Sequence, residues 1–202
     1  MLKTPDSIRV AGPVGALDTI VVPAQGEVRG IAVICHPNPL QGGTNTNKVV
    51  QTAARTLSRM GYACYCPNLR GVGQSEGQHD HGEGEVEDVI AVVEHARNEQ
   101  GDLPLALAGF SFGGFVAART RARIEADKLL LMGVAVGKYE IPTPPVPAGT
   151  LVIHGEQDEV IPLSAVLEWA RPQDLPVLVF PGAGHFFHGK LVRLGQMIER
   201  CW

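Results

Sequence analysis

From residue 31 onward, short apolar runs alternate with stretches whose apolar residues recur at helical spacing. Ile31-Ala-Val-Ile-Cys35 is such a run, closed by His36-Pro37. Residues 46–60 then place Val49, Val50, Ala53, Ala54 and Leu57 on one helical stripe, and Gly61 ends it. Tyr62-Ala-Cys-Tyr-Cys-Pro67 predicts the next strand, and a polar, glycine-rich loop follows over 70–82. Val86, Val89, Ile90, Val93 and Ala96 predict a helix over 83–99. Further strands are predicted over 104–110, 129–136, 150–154 and 176–180. Helices are predicted after residue 113 to 124, over 163–171, and over 188–200 with Leu191, Leu194 and Ile198 inward. Before residue 31, segments around 7–11 and 16–22 predict an antiparallel edge pair.

Near-continuous apolar strands separated by amphipathic helices predict an α/β fold, a mostly parallel central sheet with helices on both faces. Right-handed crossovers collect the C-terminal ends of the parallel strands on one rim, where ligands bind in open α/β sheets. His36, Ser111, Asp158 and His185 all fall just past predicted strand ends. One domain over residues 1–202 is expected. The proline-rich connector Ile141 to Pro147 is too short for a lid domain, so an open site is expected.

Composition narrows the classes. A chain of 202 residues builds one substantial core, and 45% hydrophobic with 19% charged residues is ordinary for a globular protein. A net charge of -4 gives no electrostatic reason to expect nucleic acid or an anionic membrane as partner. Arg119, Arg121 and Arg123 alternate with small residues and read as a solvated face. No run reaches the roughly 18 apolar residues of a membrane span. The N-terminal Met-Leu-Lys-Thr-Pro-Asp-Ser lacks the apolar core of a signal peptide. Cys35, Cys64 and Cys66 fall in predicted buried strands, with Cys201 near the end of the chain. Cys64 and Cys66 would lie on one sheet face about 7 Å apart along the strand, too far for an easy bridge. Reduced thiols in a cytoplasmic protein, monomeric or a small homo-oligomer, are the expectation.

The candidate chemistry centres on Gly109-Phe-Ser111-Phe-Gly113, between the apolar run Leu105-Ala-Leu-Ala and the helix start Gly113-Gly-Phe-Val. A serine on a sharp strand-to-helix turn, with glycine two places either side, is a nucleophile elbow. The glycines let the chain pass close to its neighbours while the serine holds a strained backbone conformation. Serine needs a base. His185, in Pro181-Gly-Ala-Gly-His-Phe-Phe directly after the last predicted strand, can swing over the elbow. His188 is the alternative, and His154, ending a strand, reads as packed or bonded to its own turn. A carboxylate must fix the tautomer of the base, and Asp158 in His154-Gly-Glu-Gln-Asp-Glu-Val-Ile-Pro stands straight after a strand. Glu156 and Glu159 compete with it and read as solvated charges or helix caps.

An oxyanion site is expected from backbone donors. One is the N–H of Phe112, at a helix N-terminus. The other is the N–H of Asn38: in His36-Pro-Asn-Pro-Leu40 both prolines lack an N–H, so Asn38 is the only donor between His36 and Leu40. The Asn38 side-chain amide could supply a further donor. A rigid loop with no catalytic part is the other reading of this segment.

Taken together these blocks resemble the α/β-hydrolase superfamily, and more narrowly a subgroup of small, lidless hydrolases related to dienelactone hydrolases. The resemblance rests on residues 36–50, on Asn68-Leu-Arg-Gly-Val-Gly-Gln-Ser-Glu-Gly77, on Gly109-Phe-Ser-Phe-Gly-Gly, on His154-Gly-Glu-Gln-Asp-Glu-Val-Ile-Pro and on Gly184-His-Phe-Phe-His-Gly. The subgroup often carries a second histidine where Asn38 stands, and dienelactone hydrolases carry cysteine where Ser111 stands. The implied activity is a serine carboxylesterase acting on a small-molecule, short-acyl ester through a Ser111, His185, Asp158 triad, with no cofactor and no metal. Thioester, peptide and acyl-transfer chemistry on the same residues are the alternatives, as is a non-catalytic binding protein on the same scaffold. The resemblance places the 70–75 loop, with Arg70 and Ser75, near the site in a structural role. Gly71-Val-Gly73-Gln-Ser-Glu76 lacks the last glycine of a dinucleotide fingerprint. His79-Asp80-His81 has no further ligand at a recognisable spacing and reads as a solvated loop.

Overall fold

The apolar runs form the interior strands of a single twisted layer because each must bury both of its faces. The computed structural model describes residues 6–202. The first five residues of the stretch read above for targeting lie outside the described residues. Among the described residues one eight-stranded sheet has the order β1-β2-β4-β3-β5-β6-β7-β8. Its strands are β1 (Asp6–Gly12), β2 (Gly15–Val22), β3 (Gly30–Cys35), β4 (Tyr62–Pro67), β5 (Leu105–Phe110), β6 (Lys128–Met132), β7 (Leu151–Gly155) and β8 (Val177–Phe180). β1 and β2 are the antiparallel edge pair, β2 runs antiparallel to β4, and all later pairings are parallel.

The strand alternation sorts the helices. Ile31, Val33 and Cys35 of β3, with Leu105 and Leu107 of β5, face one layer, formed by α2 (Gly84–Gln100), α3 (Phe112–Arg121) and α4 (Leu163–Ala170). Ala32, Ile34, Ala106, Ala108 and Phe110 face the other, formed by α1 (Lys48–Arg59) and α5 (Leu191–Cys201). α1 begins where the Asn47 side chain accepts from the N–H groups of Val49 and Val50. Its stripe of Val49, Val50, Ala53, Ala54 and Leu57 is fully buried against the sheet.

Three boundaries differ from the expectation by three residues or more: the helix expected to run to 124 ends at Arg121, and the other two shift for backbone reasons. The strand predicted over 129–136 ends at Met132, because Gly133 takes φ +51 and turns the chain. The helix predicted from residue 188 starts at Leu191, because Phe187 (φ 51) and Gly189 (φ 71) hold a turn that a helix cannot include. Residues 133–150, between β6 and β7, contain no helix or strand, and among the described residues no lid domain stands over the rim. No helix among the described residues is long and apolar enough to cross a membrane.

The chain leaves β3 for β4 on one side and returns, after α2, to β5 on the other. The crossovers therefore diverge at the C-terminal ends of β3 and β5, which opens a crevice there. Cys35 pairs with Gly109 at that rim, so His36 and Ser111 stand on neighbouring strands at its mouth.

Candidate active site

Ser111 lies between β5 and α3 with φ 56 and ψ -118, a conformation a side-chain-bearing residue rarely takes. The surroundings hold it there. Its N–H donates to the Met132 carbonyl at 2.9 Å, and its own carbonyl accepts from Phe115 and Ala135, each at 3.2 Å. A Cβ on Gly109 would stand 2.0 Å from the Gly113 carbonyl oxygen, and one on Gly113 would stand 2.2 Å from that of Cys35. The two glycines are thus required by close backbone approach. Phe112 buries its ring completely, against His79, Phe115 and Tyr139, which anchors the first turn of α3.

Ser111, His185 and Asp158 come together. The Ser111 hydroxyl oxygen is 2.9 Å from His185 Nε2, and His185 Nδ1 is 2.7 Å from Asp158 Oδ2. All three are buried. Asp158 Oδ1 accepts from the N–H groups of Val160 (2.9 Å) and Ile161 (2.7 Å), which fixes the carboxylate plane. Burial alone would raise this carboxyl, but the hydrogen bonds from His185 and Ile161, together with the nearby His185 and His154 imidazoles, outweigh burial and the net shift is downward. An ionised Oδ2 only accepts, so His185 carries its proton on Nδ1. Its Nε2 is then free to accept from the serine hydroxyl.

The other histidines separate cleanly. His188 is exposed, its ring against Phe186. His154 is fully buried and its Nε2 donates to the Ile161 carbonyl at 2.9 Å, so it braces the turn that carries Asp158. His36 is also fully buried: its Nε2 is 3.0 Å from the Leu69 nitrogen and its Nδ1 is 2.7 Å from the Pro37 oxygen.

Asn38 is half-buried and caps a 3-10 turn over Pro39–Gln41. Its Oδ1 accepts from the Leu40 N–H at 2.9 Å, so the side chain is engaged within its own loop. Its carbonyl accepts from Gln41 (3.1 Å) and Gly43 (2.9 Å). Among the described residues neither the Asn38 N–H nor the Phe112 N–H has an acceptor in the chain. The Phe112 N–H opens α3 directly after Ser111, and Asn38 follows β3, whose last residue Cys35 pairs with Gly109 of β5.

Several sequence expectations are corrected. Asp80 and His81 are exposed, as expected of a solvated loop, but His79 is not: its side chain is 10% exposed, its Nδ1 lies 2.7 Å from the buried Glu85 carboxylate, and its ring packs 5.1 Å from Phe112. Glu85 also accepts from the N–H groups of Asp80 and Gly82, both at 2.8 Å, so the loop is tied down. Arg119 and Arg121 are largely covered rather than solvated. Arg119 lies over the Phe115 ring at 5.6 Å with Glu83 at 3.6 Å, and Arg121 pairs with Glu125 at 2.8 Å. Glu156 and Glu159 are exposed, as expected of solvated charges, and they also accept from the N–H groups of Gly182 (2.7 Å) and His185 (3.2 Å), which tethers the loop that carries His185. Arg70 makes a buried ion pair with Asp88 at 2.8 Å, and Ser75 donates to the Asn68 carbonyl at 2.6 Å.

The buried imidazoles set a pH dependence of stability. Burial lowers His36 from 6.5 to about 4 and lowers His154 as well, so both are neutral in the fold. Below pH 6.5 the unfolded chain binds protons that the folded chain refuses. Their contribution is therefore complete above that value and declines as pH falls toward 4. The lowered Asp158 acts in the same sense at still lower pH. Denaturant midpoints measured from about pH 7 down to about pH 4 are expected to fall steadily once the pH is below about 6.5. A flat profile over that range contradicts neutral, buried imidazoles.

Residues 26–150 match the family model described as serine aminopeptidase, S33. A serine hydrolase without a lid from Xanthomonas campestris is 35% identical with a TM-score of 0.92, the match covering 100% of this chain and 94% of that one. A serine hydrolase homologue from Coxiella burnetii is 36% identical with a TM-score of 0.88, covering 99% and 98%. An uncharacterised protein of Rickettsia prowazekii is 30% identical over 93% of this chain and 84% of its own length. The chain therefore belongs to the serine aminopeptidase S33 family and is a hydrolase of the α/β serine hydrolase type.

Proposed function

We propose that the protein is a carboxylesterase that cleaves small, short-acyl esters through an acyl-enzyme on Ser111. The observation that carries this is the continuous proton path from Ser111 through His185 to an ionised Asp158, with contacts of 2.9 and 2.7 Å. Ser111 Oγ attacks the ester carbonyl carbon while His185 Nε2 takes its proton. The oxyanion that forms is held by the N–H groups of Asn38 and Phe112, each worth roughly 3 kcal/mol of barrier in comparable sites. Collapse expels the alcohol, which receives the proton from His185. Water then attacks the acyl-enzyme with His185 again as base, and release of the acid restores Ser111.

The absence of a lid domain supports small substrates, because no second layer is available to bury a long acyl chain. The test pairs a fluorophosphonate probe with a graded series of aryl esters. Labelling at Ser111 and fastest turnover of the shortest acyl groups are expected. Turnover that rises with acyl length removes the short-chain assignment, and absence of labelling favours a binding protein. A second reading, amide hydrolysis, is favoured by the family description of residues 26–150. Aminoacyl anilides assayed beside the esters separate the two: faster turnover of the anilides overturns the esterase reading.

A further inference from the structure

We propose that His36 is a positioning residue for the oxyanion site, its imidazole locking the Pro37–Asn38 peptide so that the Asn38 N–H points into the crevice beside Ser111. The inference rests on the reading of Asn38 as an oxyanion donor.

The tautomer follows from the partners. The Leu69 N–H can only donate, so the His36 Nε2 facing it at 3.0 Å must be an unprotonated acceptor. The single ring proton is then on Nδ1, which donates to the Pro37 carbonyl at 2.7 Å. Among the described residues no other group donates to that oxygen. The imidazole therefore ties the loop after β3 to Leu69, two residues past β4, and sets the direction of one carbonyl. Burial, which holds the ring neutral, keeps both bonds in place.

One carbonyl is enough to set the donor. The described residues contain no cis peptide, so the Pro37 C=O and the Asn38 N–H belong to one planar trans unit and point in opposite directions. With the carbonyl drawn back onto the buried His36 ring, the N–H is turned away from it. The far side of Asn38 is fixed independently, through its carbonyl bonds from Gln41 and Gly43 and its side-chain bond from Leu40. The start of the loop is pressed against the elbow: a Cβ on Gly113 would meet the Cys35 and His36 carbonyl oxygens at 2.2 and 2.6 Å. Without the imidazole the Pro37 carbonyl keeps its packing against Gly43, where a Cβ would stand 2.0 Å from its oxygen, but loses its hydrogen-bond donor, and rotation of the 37–38 peptide would present a carbonyl oxygen where a donor is needed.

Two variants separate the two ring nitrogens. In His36→Asn the side-chain amide can replace Nδ1 as donor to Pro37 but does not reach Leu69. In His36→Gln the amide oxygen can replace Nε2 as acceptor but leaves the Pro37 carbonyl without its donor. Loss of an oxyanion donor costs about 10² to 10³ in kcat. His36→Gln is expected to lose about that factor in kcat with KM unchanged, and His36→Asn to recover most of it. Binding of a trifluoromethyl ketone analogue of the tetrahedral intermediate should weaken in parallel with kcat. Wild-type kcat in a folded His36→Gln, or equal losses in both variants, overturns the proposal.

Asn38→Pro distinguishes a failure of the underlying reading. It deletes the N–H at a residue whose φ of -51 already suits proline, and Asn38→Ala controls for the lost side-chain cap. If Asn38→Pro matches Asn38→Ala, Asn38 is not an oxyanion donor, and the positioning role falls with it. If Asn38→Pro loses kcat while His36→Gln does not, only the positioning role fails. Should the His36 variants not fold, nitrogen NMR of the wild-type imidazole decides. A proton on Nδ1 with Nε2 bare agrees with the proposal, and the opposite tautomer overturns it.

Discussion

Ser111→Ala is expected to lower kcat by about 10⁶, the loss seen when the nucleophile of a serine-histidine-aspartate site is removed. The alanine keeps the backbone and deletes only the oxygen 2.9 Å from His185 Nε2. Because Ser111 holds φ 56 through backbone bonds to Met132, Phe115 and Ala135, the fold should survive the change. The substitution thus isolates chemistry from stability. Fluorophosphonate labelling should vanish, while the denaturant midpoint stays near that of the parent. Labelling that persists in this variant means that another residue is the nucleophile.

Asp158→Asn is expected to cost about 10⁴ in kcat, through the tautomer of His185 rather than through lost contacts. The two carboxylate oxygens are not equivalent. Oδ1 faces two donors, the N–H groups of Val160 and Ile161, so in asparagine the amide oxygen must occupy that position. The amide NH₂ then faces His185 Nδ1, where the carboxylate Oδ2 lay at 2.7 Å. Two donors cannot share that contact, so the imidazole must move its proton to Nε2. That nitrogen would then donate to Ser111 instead of accepting from it, and the base is lost with the geometry intact. A kcat measured within about tenfold of wild type would show that Asp158 does not set the tautomer.

The strands and helices were legible because their signals are local. β3, β5 and α1 follow directly from apolar runs and a helical stripe that survive intact as buried surfaces in the structure. Ser111, Asp158 and His185 could be named because each stands just past a strand end, and a parallel sheet brings those ends to one rim. The misreadings share a cause. His79 reads as loop because the carboxylate beside it belongs to Glu85 and the ring beneath it to Phe112, neither part of a recognisable local pattern. Glu156 and Glu159 are solvated as read, but their tether to the His185 loop was not legible, because the N–H groups they accept from stand 26 residues away. Arg119 and Arg121 read as a solvated face because their spacing spreads them around the helix axis, whereas the Phe115 ring and Glu83 close over Arg119 and Arg121 pairs with Glu125.

The order of strands and helices, the elbow glycines and the set of polar residues at the rim were determined by the chain alone, since periodicity and backbone sterics act between near neighbours. Directions were decided only by the tertiary structure. Which nitrogen of His185 and of His36 carries the proton, which oxygen of Asp158 faces the base, and which way the Pro37–Asn38 peptide turns all depend on hydrogen-bond partners. Three of those partners lie 27, 33 and 74 residues away in the chain. A hydrogen bond has a donor and an acceptor and must point, and pointing is a property of folded space that residue order does not carry.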